Sequence, residues 1–121
     1  MANPFRGELQ VSLGGETYKT RMTVDGCMQA EATCGQSLVK IMSRLTEGEL
    51  TVSELAGVLA PAFRGGGNNV DQAKMARMIY EAGLGEGIRV CAEVLTNVLT
   101  AGRQEDLDDE ELEKNVPEAA E

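Results

Sequence analysis

Ala62-Phe63-Arg64-Gly65-Gly66-Gly67-Asn68-Asn69-Val70 sets three consecutive glycines beside an arginine, and the fold turns on what those glycines follow. After a strand they would cradle a phosphate; after a helix they end it. A phosphate loop also needs a Lys followed by Ser or Thr, and a dinucleotide loop needs Gly-x-Gly-x-x-Gly behind a strand. Here Asn68-Asn69 follow, and the residues before read as a helix. Thr51-Val52-Ser53-Glu54 is a capping box, and Val52, Leu55, Val58, Leu59 and Phe63 fall on one side. Gly65 then fits the left-handed position past a helix end, with Gly66 and Gly67 turning the chain. Arg64 complements the helix dipole. Arg64, Gly65, Gly66 and Gly67 are therefore expected to be a structural hinge between helices, with no cofactor. Pro61 should bend or weaken the last turn before them.

Outward from that loop, helices dominate. Asp71 can cap a helix carrying Met75, Met78 and Ile79, which ends at Gly83. Gly85 or Gly87 precedes a helix with the stripe Ile88, Cys91, Val94, Leu95, Val98 and Leu99, closed by Gly102. Upstream, Asp25 can cap a helix that stops at Gly35, and Leu38, Ile41, Met42 and Leu45 mark another that ends near Gly48. Residues 7–24 read instead as a β-hairpin. Gly14-Gly15 supplies the positive φ angles of a two-residue turn, which pairs Leu13 with Glu16, Val11 with Tyr18 and Leu9 with Thr20. Leu9, Val11, Tyr18 and Met22 then share a face that needs a cover, because a lone hairpin is marginal in water. The expected fold is mainly α with an N-terminal β-hairpin, a small single-domain helical bundle over residues 1–102, with helices over 25–102.

The remaining segment, 103–121, carries nine acidic and two basic residues, a net of −7 out of the chain's −9. It is polar and is expected to be a flexible, disordered tail, Leu107 and Leu112 offering at most a brief helical turn. The first 102 residues are nearly neutral, which removes most electrostatic support for direct nucleic-acid binding. No run approaches the roughly 18 apolar residues that span a bilayer, and no signal-peptide core is visible. A cytoplasmic protein off the membrane is expected. Cys27, Cys34 and Cys91 are expected to be reduced and to pack as small hydrophobes, since Cys27 and Cys34 would lie about 10 Å apart along one helix.

Several short motifs in order carry a family resemblance. They are Asn3-Pro4-Phe5-Arg6-Gly7-Glu8, a hairpin leading to Arg21-Met22-Thr23-Val24, the Leu38 to Leu45 helix, and Val58-Leu59-Ala60-Pro61-Ala62-Phe63-Arg64-Gly65-Gly66. Over about residues 3–102 the chain resembles the tail-protein family of gene transfer agents and long-tailed phages, classed among tail assembly chaperones and also labelled tail tube proteins. Pro61 and Gly26 stand where plainer helix formers would be expected.

The resemblance implies a phage-like tail assembly protein, a chaperone that holds the tape-measure protein while the tube polymerises. It implies the tape-measure protein and the tail tube protein as partners, and leaves a homo-oligomer open. The alternative is a structural tail tube subunit, although stacked rings generally pair extended sheet edges and one hairpin supplies little of that. A second alternative, a small acidic regulatory binder, rests on the charge distribution alone. Enzyme chemistry is not expected: there is no His to activate a thiol or complete a metal set, and Glu86 and Glu93 read as a solvated helix face. Met28, Met42, Met75 and Met78 could line an adaptable groove or simply fill the core. The candidate partner-binding residues are Met75, Met78, Ile88, Val94, Leu95 and Leu99.

Overall fold

The computed structural model describes residues 7–106. Two strands lead into five helices: β1 (Glu8–Leu13), β2 (Glu16–Arg21), α1 (Val24–Cys34), α2 (Leu38–Thr46), α3 (Val52–Gly65), α4 (Gln72–Ala82) and α5 (Leu84–Asp106). The strands pair antiparallel with Leu13 opposite Glu16, Val11 opposite Tyr18 and Leu9 opposite Thr20. Gly14 and Gly15 both take positive φ, so the turn fixes the register that the sequence predicts. The inner face holds Val11, Leu13 and Thr20, all buried, with Leu9, Tyr18 and Met22 half-buried around them. Thr20 is tolerated there because its hydroxyl donates to the Leu9 carbonyl at 2.8 Å.

The cover for that face is α3, the axis of the molecule. Every residue from Leu55 to Phe63 is buried, so over that span the helix has no solvent face and other elements pack around it. Tyr18 and Phe63 join hairpin to helix, their ring centroids 5.1 Å apart and the planes tilted by 46°. The capping box forms as the sequence predicts, whereas Val52 lies at the surface. Pro61 does not end the helix, which runs on through Gly65. It packs beside Gly26 of α1, where an added Cβ would lie 3.5 Å from the proline Cβ. The two unusual residues thus share one helix crossing.

Other boundaries shift for local reasons. Thr23 caps α1, its hydroxyl accepting from Gly26 N, and Asp25 falls in the first turn. Asp71 does cap α4, accepting from Lys74 N at 2.8 Å. Only Gly83 separates α4 from α5, so Gly85 and Gly87 lie inside α5 rather than before it. Gly102 does not close α5 either, since the helix continues to Asp106. Of the acidic segment, residues 103–106 are therefore helical, and the expected disorder of 107–121 lies outside the described residues.

Candidate functional site

The glycine loop joins α3 to α4, but its glycines are needed for a reason other than the one predicted. Gly65 is the last residue of α3 and has no positive φ; Gly66 caps the helix at φ −89°, and only Gly67 is left-handed, at φ 102°. What Gly65 and Gly66 permit is contact between backbones. A Cβ on Gly65 would overlap the carbonyl oxygen of Arg21, and one on Gly66 that of Lys19. The end of α3 is pressed against the outer edge of β2, with no space for side chains between them. Carbonyl oxygens occupy the position where an anion would have to sit, so the loop offers no phosphate cradle.

Side chains fasten this corner. The Asn68 amide donates to the Lys19 carbonyl at 2.8 Å and to the Phe63 carbonyl at 3.0 Å, satisfying one of the last carbonyls of α3. Arg64 donates to the Val70 carbonyl at 3.0 Å and to Gln29 of α1 at 2.6 Å. Lys74 reaches the Asn69 carbonyl at 3.5 Å. The Arg64 and Lys74 side chains thus hold the loop carbonyls of Val70 and Asn69, whereas Lys19 contributes only its main-chain carbonyl.

The β1 edge is met differently, by side chains of α5. Arg89 donates to the Ser12 carbonyl at 2.8 Å and Asn97 to that of Gly7 at 3.1 Å. Glu86 accepts from Gly14 N at 2.9 Å. Glu86 and Glu93 both pair with Arg89, so they form part of a clasp on the hairpin and not merely a solvated face. A shallow groove of about 380 Å³ runs beside this clasp, lined by Leu9, Ala92, Glu93, Thr96, Asn97 and Thr100.

The candidate partner-binding residues do not form one surface. Met75 and Leu95 are completely buried, as is nearly all of Val94. Met78 is half-buried and lines a small cleft with Leu13, Gly14 and Tyr18. Ile88 and Leu99 reach the surface, about 40% exposed. Of the predicted α5 stripe, Cys91, Val94 and Leu95 are buried and Val98 packs against the core, while Gly87 and Val90 take the inner side in place of Ile88 and Leu99. Gly87 lies so close to Ile79 of α4 that an added Cβ would be 2.6 Å from the isoleucine Cγ2. Of the other methionines, Met28 is exposed and Met42 half-buried.

The thiols are free, Cys91 buried and Cys27 and Cys34 half-buried. Burial pushes the Cys91 thiol up to about 12, and burial aided by Glu31 and Glu54 raises those of Cys27 and Cys34. All three are therefore poor nucleophiles. Among the described residues no group of three or more His, Cys, Asp or Glu side chains is gathered for a metal. Sequence reasoning missed the polar hub at Arg44, which donates to both carboxylate oxygens of Glu54 at 2.9 and 3.1 Å, to Gln36 and to the Glu49 carbonyl. The Arg44 and Thr51 hydrogen bonds hold the Glu54 carboxyl below its usual range.

Residues 6–101 match the family described as "Phage tail tube protein, GTA-gp10". That span takes in the hairpin, the glycine loop and most of α5. No curated protein and no solved structure matches the chain.

Proposed function

Because the chain belongs to the phage tail tube protein family of the GTA-gp10 type, we propose that within a phage-like tail it serves as a non-enzymatic subunit of the tube. The observation that carries this reading is the family match across almost every described element. The packing supports it. Met75, Val94 and Leu95 lie in the core, so these three cannot line a groove that would hold a long amphipathic helix. A subunit of this kind works through surface complementarity with copies of itself and with neighbouring tail proteins.

One observation favours the second reading, a chaperone that holds the tape-measure protein. Among the described residues the sheet has two strands, one edge abutting the glycine loop and the other bridged from α5. Such a sheet offers little free edge for strand pairing between stacked subunits.

Protein composition of purified particles separates the two. A tube subunit is retained in finished tails in many copies. A chaperone co-purifies with the tape-measure protein from assembling cells and is missing from the finished tail, and that result would overturn the tube reading.

A further inference from the structure

The β1 edge is bridged by side chains, and beside that bridge the hairpin and α5 leave a gap. It is the groove of about 380 Å³ whose walls include Leu9, Ala92, Asn97 and Thr100. Three of its polar side chains are already engaged within the fold. Glu93 pairs with Arg89 at 2.9 Å, the Asn97 amide donates to the Gly7 carbonyl at 3.1 Å, and the Thr100 hydroxyl donates to the Thr96 carbonyl at 2.8 Å. Leu9 and Ala92 pack against the core but are only partly covered. Engaged polar groups beside half-covered apolar ones suit an apolar occupant.

The chain itself delivers one. Gly7 is the first described residue, and its carbonyl is bonded to Asn97 in the groove wall. Residues 1–6 are therefore tethered at the groove. Gly7 takes φ 77°, although nothing lies within 4 Å of the place a Cβ would occupy. Glycine serves there to bend the chain out of the strand direction. Two residues earlier stands Phe5, and the other phenylalanine of the chain, Phe63, is fully buried. Two residues of chain span at most about 7 Å. The α5 wall from Ala92 to Thr100 is about 12 Å long at 1.5 Å per residue, with Asn97 inside it. The Phe5 ring thus has the groove within reach. Pro4 holds its own φ and restricts Asn3, which lowers the entropy cost of ordering the segment. We propose that residues 1–6 form a strap along the β1 edge, with Phe5 seated in the groove of its own chain, against Leu9 and Ala92. The ring adds apolar burial to an edge otherwise fastened by surface hydrogen bonds. Both hairpin edges are then covered, β2 by the end of α3 and β1 by the strap, which keeps β1 from pairing with a strand of another copy.

The test uses the full chain in solution. In ¹³C-labelled protein, nuclear Overhauser contacts are expected from the Phe5 ring to the methyl groups of Leu9 and Ala92. When labelled and unlabelled copies are mixed, those contacts should stay within single chains. Phe5→Ser should lower the melting temperature by about 5 °C, the effect of losing part of an aromatic burial in a domain of this size. Phe5→Leu should recover most of that loss, because the groove takes an apolar group. Contacts that cross between labelled and unlabelled copies would overturn the proposal, since the segment would then be exchanged with a neighbour. A Phe5 ring that touches neither methyl would also overturn it. So would a Phe5→Ser variant that melts at the original temperature. None of these outcomes depends on whether finished tails contain the protein, so this inference and the tube reading fail separately.

Discussion

Along β2 the hairpin meets another backbone; along β1 it meets the ends of side chains. The first edge is shut by shape, with the last residues of α3 so close to Lys19 and Arg21 that only glycine fits at Gly65 and Gly66. The second is bridged by Arg89 and Asn97, which span the gap to Ser12 and Gly7 with single hydrogen bonds. Both arrangements reduce the exposure of a strand edge. They differ in tolerance. A clash between main chains can be relieved only by moving a whole element, whereas a lost surface hydrogen bond is replaced by water.

Substitutions should expose that difference, with the face beneath both edges as the reference. Val11→Asp puts an unpaired carboxylate into the buried face, at a cost of about 5 kcal/mol, comparable to the whole stability of a small domain. Loss of the cooperative thermal transition is expected, and a normally melting variant would mean that the hairpin does not cover α3. Gly66→Ala comes next. It should destabilise by about 3 kcal/mol in urea titrations, because the methyl group meets a carbonyl that cannot rotate away. A cost of under about 1 kcal/mol, the amount expected from backbone conformation alone, would break the distinction between the edges.

A third test lies away from both. The folded-state pKa of Glu54 is lowered by Arg44 and Thr51, so its stabilising contribution is present above the unfolded value of about 4.3 and is lost as pH falls through the folded value. Glu54→Gln should flatten the decline in melting temperature below that pH. An identical acid limb in both proteins would count against the Arg44 hub. On the β1 edge, Asn97→Ala should cost only about 1 kcal/mol in the same urea titration. A loss as large as that of Gly66→Ala would show that the two edges are equivalent after all. Deleting residues 107–121 should change the melting temperature least, since the segment holds few large apolar groups. A large drop would place that segment in the core.

The candidate site was less legible than the fold. The sequence singled out the glycines of the loop for a conformational reason that applies only to Gly67. Met75, Val94 and Leu95 were selected for their apolar character, the same property that buries them. Arg44 gave a weak signal: the capping-box Glu54 was visible, but its second partner comes from another helix.

What the sequence alone determined is what chain neighbours decide. The Gly14-Gly15 turn dictates which residues face each other for the length of the hairpin. The caps at Thr51 and Asp71 and the stop at Gly35 act within four residues. The family resemblance was also readable, because it consists of short motifs in order. Only the tertiary structure decided how closely elements approach. A glycine looks the same in sequence whether it turns the chain, as Gly15 does, or admits another backbone, as Gly66 does. Likewise Gly87 lies on the buried side of α5 without adding any hydrophobicity, so a pattern of apolar residues settles on Ile88 instead. Burial depends on the surface that arrives from elsewhere in the chain, and a local pattern carries no record of it.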